Sequence, residues 1–382
     1  MRNSPTMRFN ASIRSAVAVL LLAISVTAQD KVAVVADAVI RADGQVVKPA
    51  VLLIDNGRIV ALGDVEIPNG YEVVKRSGFT LAPGLVDVGS HASAPYDLNE
   101  NEDAVDLESR ARDSFIPDHR DWKLLAASGI TSTVLLPDPE NVVSGVGVVV
   151  KTGGDSRIVD RAAPVVLALG ATVYERARRP TSFAEAVELL EGALGSAKKS
   201  GESGPLAELL GAKRPAVFRT ESEAALKRAL SLAAKFKFSP AFHAPKSAIR
   251  RAIPEIKAAK GGLFLLDAPT DADSVADLLV PRDLAAAGGR IVFRVDVPKI
   301  APDALRLGAW LAVRNGLGRK EAIQALTARA AEAAGCSGKL GDLAPGMDAD
   351  FIVLDGDLLD PASRVHETWV GGRRIYRMGG SN

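Results

Sequence analysis

Between Leu85 and Val297, short apolar and β-branched runs recur eight times: Leu85–His91, Thr131–Leu136, Gly147–Lys151, Val165–Gly170, Ala216–Thr220, Ser239–His243, Leu263–Asp267 and Ile291–Asp296. Segments with helical spacing of apolar residues separate several of them, at 118–128, 183–197, 221–236 and 272–286. A strand that returns parallel to its predecessor needs a crossover of a dozen or more residues, usually a helix. The repetition predicts a parallel sheet, and eight repeats predict a (β/α)8 TIM barrel in the α/β class. Residues 195–214, rich in Gly, Ser and Lys, read as a solvated loop. Helices are expected again at 303–316 and 319–334.

β-structure brackets this region. Val32–Val35 and Ala50–Ile54 are strand-like, and Asp55-Asn56-Gly57-Arg58 carries the Asn-Gly pair that most strongly marks a two-residue hairpin. Near the other end, Phe351–Leu354 is a strand, and Thr368–Val370 and Arg373–Tyr376 flank Gly371-Gly372 as a second hairpin. Neither segment alone buries a core. The two are therefore expected to join in a small composite β-sandwich, 29–83 with 341–382, around a barrel spanning 84–340.

Residues 1–28 read as a cleavable export signal. Arg2, Arg8 and Arg14 precede an apolar run from Ala16 to Val26, and Val26-Thr27-Ala28 is a small-residue cleavage site. The run falls short of the roughly 20 residues that a membrane span needs, and no cysteine follows it to carry a lipid. The expected destination is periplasmic or extracellular. Lys and Arg total 47 against 46 Asp and Glu, so the net charge of +1 gives no electrostatic footprint for nucleic acid. Cys336 is the only cysteine, which excludes an intrachain disulfide. No P-loop, dinucleotide-binding glycine motif or nucleophile elbow is present.

Three motifs in order carry a family resemblance. Ile54–Gly63 (IDNGRIVALG), Leu81–Asp87 (LAPGLVD) and Gly341–Leu354 (GDLAPGMDADFIVL) resemble scaffold segments of the metal-dependent amidohydrolase superfamily, in its imidazolonepropionase-like and dihydroorotase-like flavour. Leu326–Ala331 is similar to the family's threonine-and-alanine helix. The resemblance covers essentially residues 32–377. It implies a barrel with a composite β-sandwich, and hydrolysis of non-peptide C–N bonds of the cyclic-amide type by strand-end metal ions. All three motifs belong to the scaffold, so they do not speak to activity.

The resemblance also implies a ligand set, and this chain departs from it. Side chains at i, i+2 and i+4 share a strand face, so the family's Asp-x-His-x-His aims two imidazoles at one metal. Here the segment is Asp87-Val88-Gly89-Ser90-His91. The fourth strand ends Leu167–Gly170 where the family has a carboxylated lysine or an acid. The fifth ends Phe218-Arg219-Thr220 where the family has histidine. His243 on the sixth strand and Asp296 after the eighth match. Three ligands remain, His91, His243 and Asp296, enough for one zinc-like ion with Asp296 as the base that activates water.

Arg219 argues for no metal at all. A guanidinium about 5 Å from a divalent ion is repelled by on the order of 7 kcal/mol at an effective dielectric of 20. Arg219 is then expected to pair with Asp296 or to bind a small anionic ligand, with Arg294, two residues before Asp296, able to serve the same end. Three functions stay open: a single-metal hydrolase, a non-catalytic small-ligand-binding relative, and a structural partner of an active paralogue. Asp267 is expected to be solvated, Lys151 to be a surface lysine, and Cys336 to be packing. His119 and His366 lie away from the strand ends.

Overall fold

The computed structural model describes residues 31–94, 98–154, 157–160, 163–200 and 203–380. The segment read as an export signal lies outside them. Along the chain the strands are Lys31–Ile40 (β1), Val46–Val47 (β2), Ala50–Asp55 (β3), Arg58–Gly63 (β4), Glu72–Pro83 (β5), Leu85–Ser90 (β6), Val105–Arg110 (β7), Ile130–Leu135 (β8), Val143–Val146 (β9), Val148–Lys151 (β10), Ile158–Asp160 (β11), Val165–Leu169 (β12), Ala216–Thr220 (β13), Ala241–His243 (β14), Gly262–Asp267 (β15), Gly289–Arg294 (β16), Phe351–Leu354 (β17), Val365–Val370 (β18) and Arg373–Arg377 (β19). Among the described residues, no helix is long and apolar enough to cross a membrane.

Both ends of the chain meet in one eight-stranded sheet, β19-β18-β17-β5-β1-β3-β4, with β2 against β1. The join is β17 antiparallel to β5, Phe351 opposite Pro83. It buries Leu81, Phe351, Val353 and Trp369 in a common apolar cluster with Val34, Leu52 and Ile54. The Asn-Gly hairpin forms as expected. Asp55 stands opposite Arg58, and Asn56 (φ 49°) and Gly57 (φ 74°) both take the left-handed conformation that a two-residue primed turn requires. Gly371 and Gly372 repeat the device between β18 and β19.

In the middle of the chain, β6 runs parallel to β8, and β12 through β16 run parallel in succession. The third expected strand does not. Gly147–Lys151 is the second half of a kinked strand that is antiparallel to β8 through β10 and to β12 through β9. Apolar, β-branched composition marks a buried strand but carries no direction. The kink sits at Gly147, whose N–H donates to the Pro164 carbonyl at 2.9 Å. A Cβ at Gly147 would lie 2.6 Å from the Leu135 carbonyl oxygen.

The strands fall into two sheets, β11-β10-β8-β6 and β16-β15-β14-β13-β12-β9-β7, and among the described residues no closed barrel forms. β16 lies beside β6 without a ladder between them. Instead the Val295 N–H donates to Asp87 Oδ1 at 2.9 Å and the His91 N–H donates to the Val297 carbonyl at 3.0 Å. The described residues of 195–214 are not the loop that their composition predicts. The helix Phe183–Ser200 runs into them, and a short helix, Pro205–Leu210, buries Leu206 and Leu209.

Strand alternation builds the site from the core upward. Val217, Ala241, Leu265 and Val292 share one buried apolar cluster with Ala330 and Ala331. Two residues on, the same faces of β13 to β16 carry Arg219, His243, Asp267 and Arg294. The register sets Arg219 beside His243 and Asp267 beside Arg294.

Candidate functional site

The polar layer at the strand C-termini divides into two clusters. In the first, His91 is clasped by two carboxylates: Nδ1 lies 2.6 Å from Asp296 Oδ1, and Nε2 lies 3.0 Å from Asp138 Oδ1. Hydrogen bonds from Asp138 and then Asp296 outweigh burial and raise the imidazole to about 9. At neutral pH the ring is therefore an imidazolium that donates from both nitrogens. Burial alone would raise Asp138 and Asp296, but the hydrogen bonds and charge of His91 hold both carboxyls below their ordinary range. Lys299 Nζ lies 3.3 Å from the other oxygen of Asp296.

In the second cluster, His243 Nε2 lies 3.0 Å from Asp267 Oδ2, and Arg294 Nη1 donates to Asp267 Oδ1 at 2.5 Å. Arg294 Nη1 also lies 3.5 Å from His243 Nε2. Burial pushes the His243 imidazole below its ordinary value. Burial works the other way on Asp267, but the His243 ring and the Arg294 guanidinium prevail and hold its carboxyl well below the carboxylate range. The remaining donors of Arg294 go to the first strand: Nε donates to the Val88 carbonyl at 3.0 Å, and Nη2 donates to the Gly89 carbonyl. Only 4% of Arg294 is exposed.

Gly89 is where this arrangement meets the ligand set read from the sequence. A Cβ at that position would stand 2.9 Å from Arg294 Nε, and the residue's φ of +101° disfavours any L side chain. Beneath it, Asp87 is fully buried. Burial raises its carboxyl to about 6, against the Val295 N–H, Arg294 and the Thr133 hydroxyl.

Of the predicted site residues, His91 and Asp296 do meet, but His243 faces Asp267 rather than joining them. Arg219 does not pair with Asp296, whose oxygens go to His91 and Lys299. Among the described residues, Arg219 has no carboxylate within 4 Å. Burial, then the neighbouring charge of Arg294, lowers its guanidinium to about 10, so it stays charged at neutral pH. Asp267 is pinned between two partners, not merely solvated. Lys151 is buried, not on the surface, with Nζ 2.7 Å from Asp348 and 3.1 Å from Asp350. Cys336 is buried, as expected of packing. His119 Nδ1 lies 3.1 Å from Asp121, and His366 Nε2 lies 3.0 Å from Asp355, outside both clusters.

Asp138 was missed. It stands in Pro137-Asp138-Pro139, directly after β8. An acid that follows a strand at the end where the other candidates cluster was the available signal.

Comparisons with known proteins speak to the fold. An amidohydrolase from Thermotoga maritima MSB8 superposes with a TM-score of 0.80 at 23% identity, over 91% of this chain and all of that one. A prolidase complexed with N-methylphosphonate-L-proline superposes with a TM-score of 0.56 at 16% identity, over 91% of this chain and all of that one. The sequence profile of the Amidohydrolase family matches residues 299–376. The chain has the fold of the amidohydrolase superfamily. A search of curated proteins found no match.

The metal that the superfamily implies does not fit these residues. Both nitrogens of His91 face carboxylate oxygens, of Asp296 and Asp138, so neither is turned to an open position for an ion. Gly89 has no side chain to offer, and the Arg294 guanidinium fills the space above it. Among the described residues, no group of three His, Cys, Asp or Glu side chains is placed to hold an ion.

Proposed function

We propose that this amidohydrolase-type chain does not carry out metal-assisted C–N hydrolysis, and that its strand-end mouth binds a small ligand with one anionic group. The supporting observation is the uneven pairing of charge. The carboxylates Asp138, Asp267 and Asp296 are taken by His91, Arg294 and Lys299, while Arg219 has no carboxylate of its own. A partly buried guanidinium without a counter-ion favours an incoming carboxylate or phosphate, which it can meet with two parallel hydrogen bonds. We further propose that the chain is exported through residues 1–28, so the ligand is met outside the cytoplasm.

Hydrolysis of a cyclic amide by one metal on His91, His243 and Asp296 is the competing reading. It requires one His91 nitrogen to leave its carboxylate and His243 to leave Asp267. The ligand reading is tested by calorimetric titration of the full chain with acetate and N-acetylglycine. Binding is expected to weaken roughly tenfold to a hundredfold in Arg219→Met, the range of one charge-assisted contact. Equal binding by both proteins would remove Arg219 from the site.

A further inference from the structure

Arg294 is held more completely than a partner for one carboxylate needs to be. Its donors reach the carbonyls of Val88 and Gly89 on β6 and the Asp267 carboxylate on β15, while the His243 ring on β14 gives its own Nε2 hydrogen to that same carboxylate. These acceptors come from two strands and converge on one buried positive charge. They do so beside the seam where β16 and β6 lack a ladder. Lysine, a point charge with one nitrogen, cannot reach separate acceptors with a fixed fork. A side chain at position 89 and the guanidinium also exclude each other, since a Cβ there would lie 3.2 Å from Nη2 and 3.3 Å from Cζ. The loss of the first ligand position and the seating of the arginine are therefore one structural change.

We propose that Arg294 is the built-in cation of this site, standing in for a divalent ion both as the charge that neutralises Asp267 and as the cross-link that ties β15 and β16 to β6. The site then needs no metal supply, and a chelator leaves it intact. This goes beyond the ligand reading: an Arg219→Met chain that no longer binds anions leaves it untouched.

The test uses the full chain, unaltered and as Arg294→Ala and Arg294→Lys, with thermal unfolding followed in EDTA, in zinc chloride, in millimolar ethylguanidinium, and in sodium chloride of matched ionic strength. The unaltered chain is expected to melt at the same temperature throughout. Arg294→Ala is expected to melt about 5–10 °C lower, because it removes a buried guanidinium with its packing and its hydrogen bonds to Val88, Gly89 and Asp267. It should regain part of that loss with ethylguanidinium or zinc and none with sodium chloride. Packing loss alone would not respond to a cation. The proposal is overturned if Arg294→Ala melts with the unaltered chain, if neither cation restores it, or if EDTA lowers the unaltered chain. Should Arg294→Ala not fold, Arg294→Lys decides. A lowered melting temperature, raised by ethylguanidinium, supports the proposal, and one equal to the unaltered chain overturns it.

Discussion

The His91 clasp makes a prediction with a definite sign. In an unfolded chain the ring titrates near 6.5, and between Asp138 and Asp296 it titrates at about 9. A histidine raised on folding contributes stability that is fully present below about 6.5 and is lost as pH rises through about 9. The gap corresponds to on the order of 3 kcal/mol. The side chain is only 13% exposed, so solvent screening removes little of it. Urea unfolding of the unaltered chain and of His91→Gln at pH 6, 7.5, 9 and 10 measures this directly. The advantage of the unaltered chain should be largest at pH 6 and shrink by roughly that amount by pH 10. Ring NMR supplies an internal control, because burial displaces His243 in the opposite direction. His91 should stay protonated after His243 is already neutral. A His91 ring that titrates near 6.5, or an advantage flat from pH 6 to 10, refutes the reasoning.

Other substitutions probe separate parts of the structure. Gly89→Ala adds a Cβ 2.9 Å from Arg294 Nε at a φ of +101°. It should lower stability by about 2–4 kcal/mol in urea unfolding. Lys151→Met leaves Asp348 and Asp350 facing each other in a buried site at the join between β10 and the C-terminal segment. It should cost about 3–5 kcal/mol, and a cost below about 1 kcal/mol would place that cluster in the class of exposed ion pairs. Arg219→Met should weaken small-carboxylate binding in calorimetry by the same roughly tenfold to hundredfold while leaving the unfolding midpoint unchanged or higher, because no ion pair is broken.

Much of the scaffold is legible in the sequence because it rests on local rules. Asn56-Gly57 and Gly371-Gly372 specify tight turns by the φ angles they tolerate, and each turn fixes the register of its hairpin. Seven of the eight expected strands align parallel because a helical crossover enforces direction. The eighth, at Gly147–Lys151, has no such crossover, and its reversal has no signature in composition. The site was partly legible. Alternation placed His243, Arg219 and Arg294 at the strand ends, and the missing ligand at Gly89 was plain in the sequence. Which arginine would take the centre was not, since Arg219 and Arg294 both sit on inward faces, and only the space above Gly89 favours the second. The burial of Lys151 was hidden for a similar reason. Its partners, Asp348 and Asp350, lie 197 and 199 residues away.

The central claim is that a guanidinium, not a metal ion, supplies the positive charge at the strand ends. Elemental analysis of the full chain, purified after growth with added zinc, manganese and iron, tests it most directly. The expected result is less than about a tenth of an equivalent of any of them. Close to one equivalent of a tightly held ion, removed by a chelator together with stability, would contradict it.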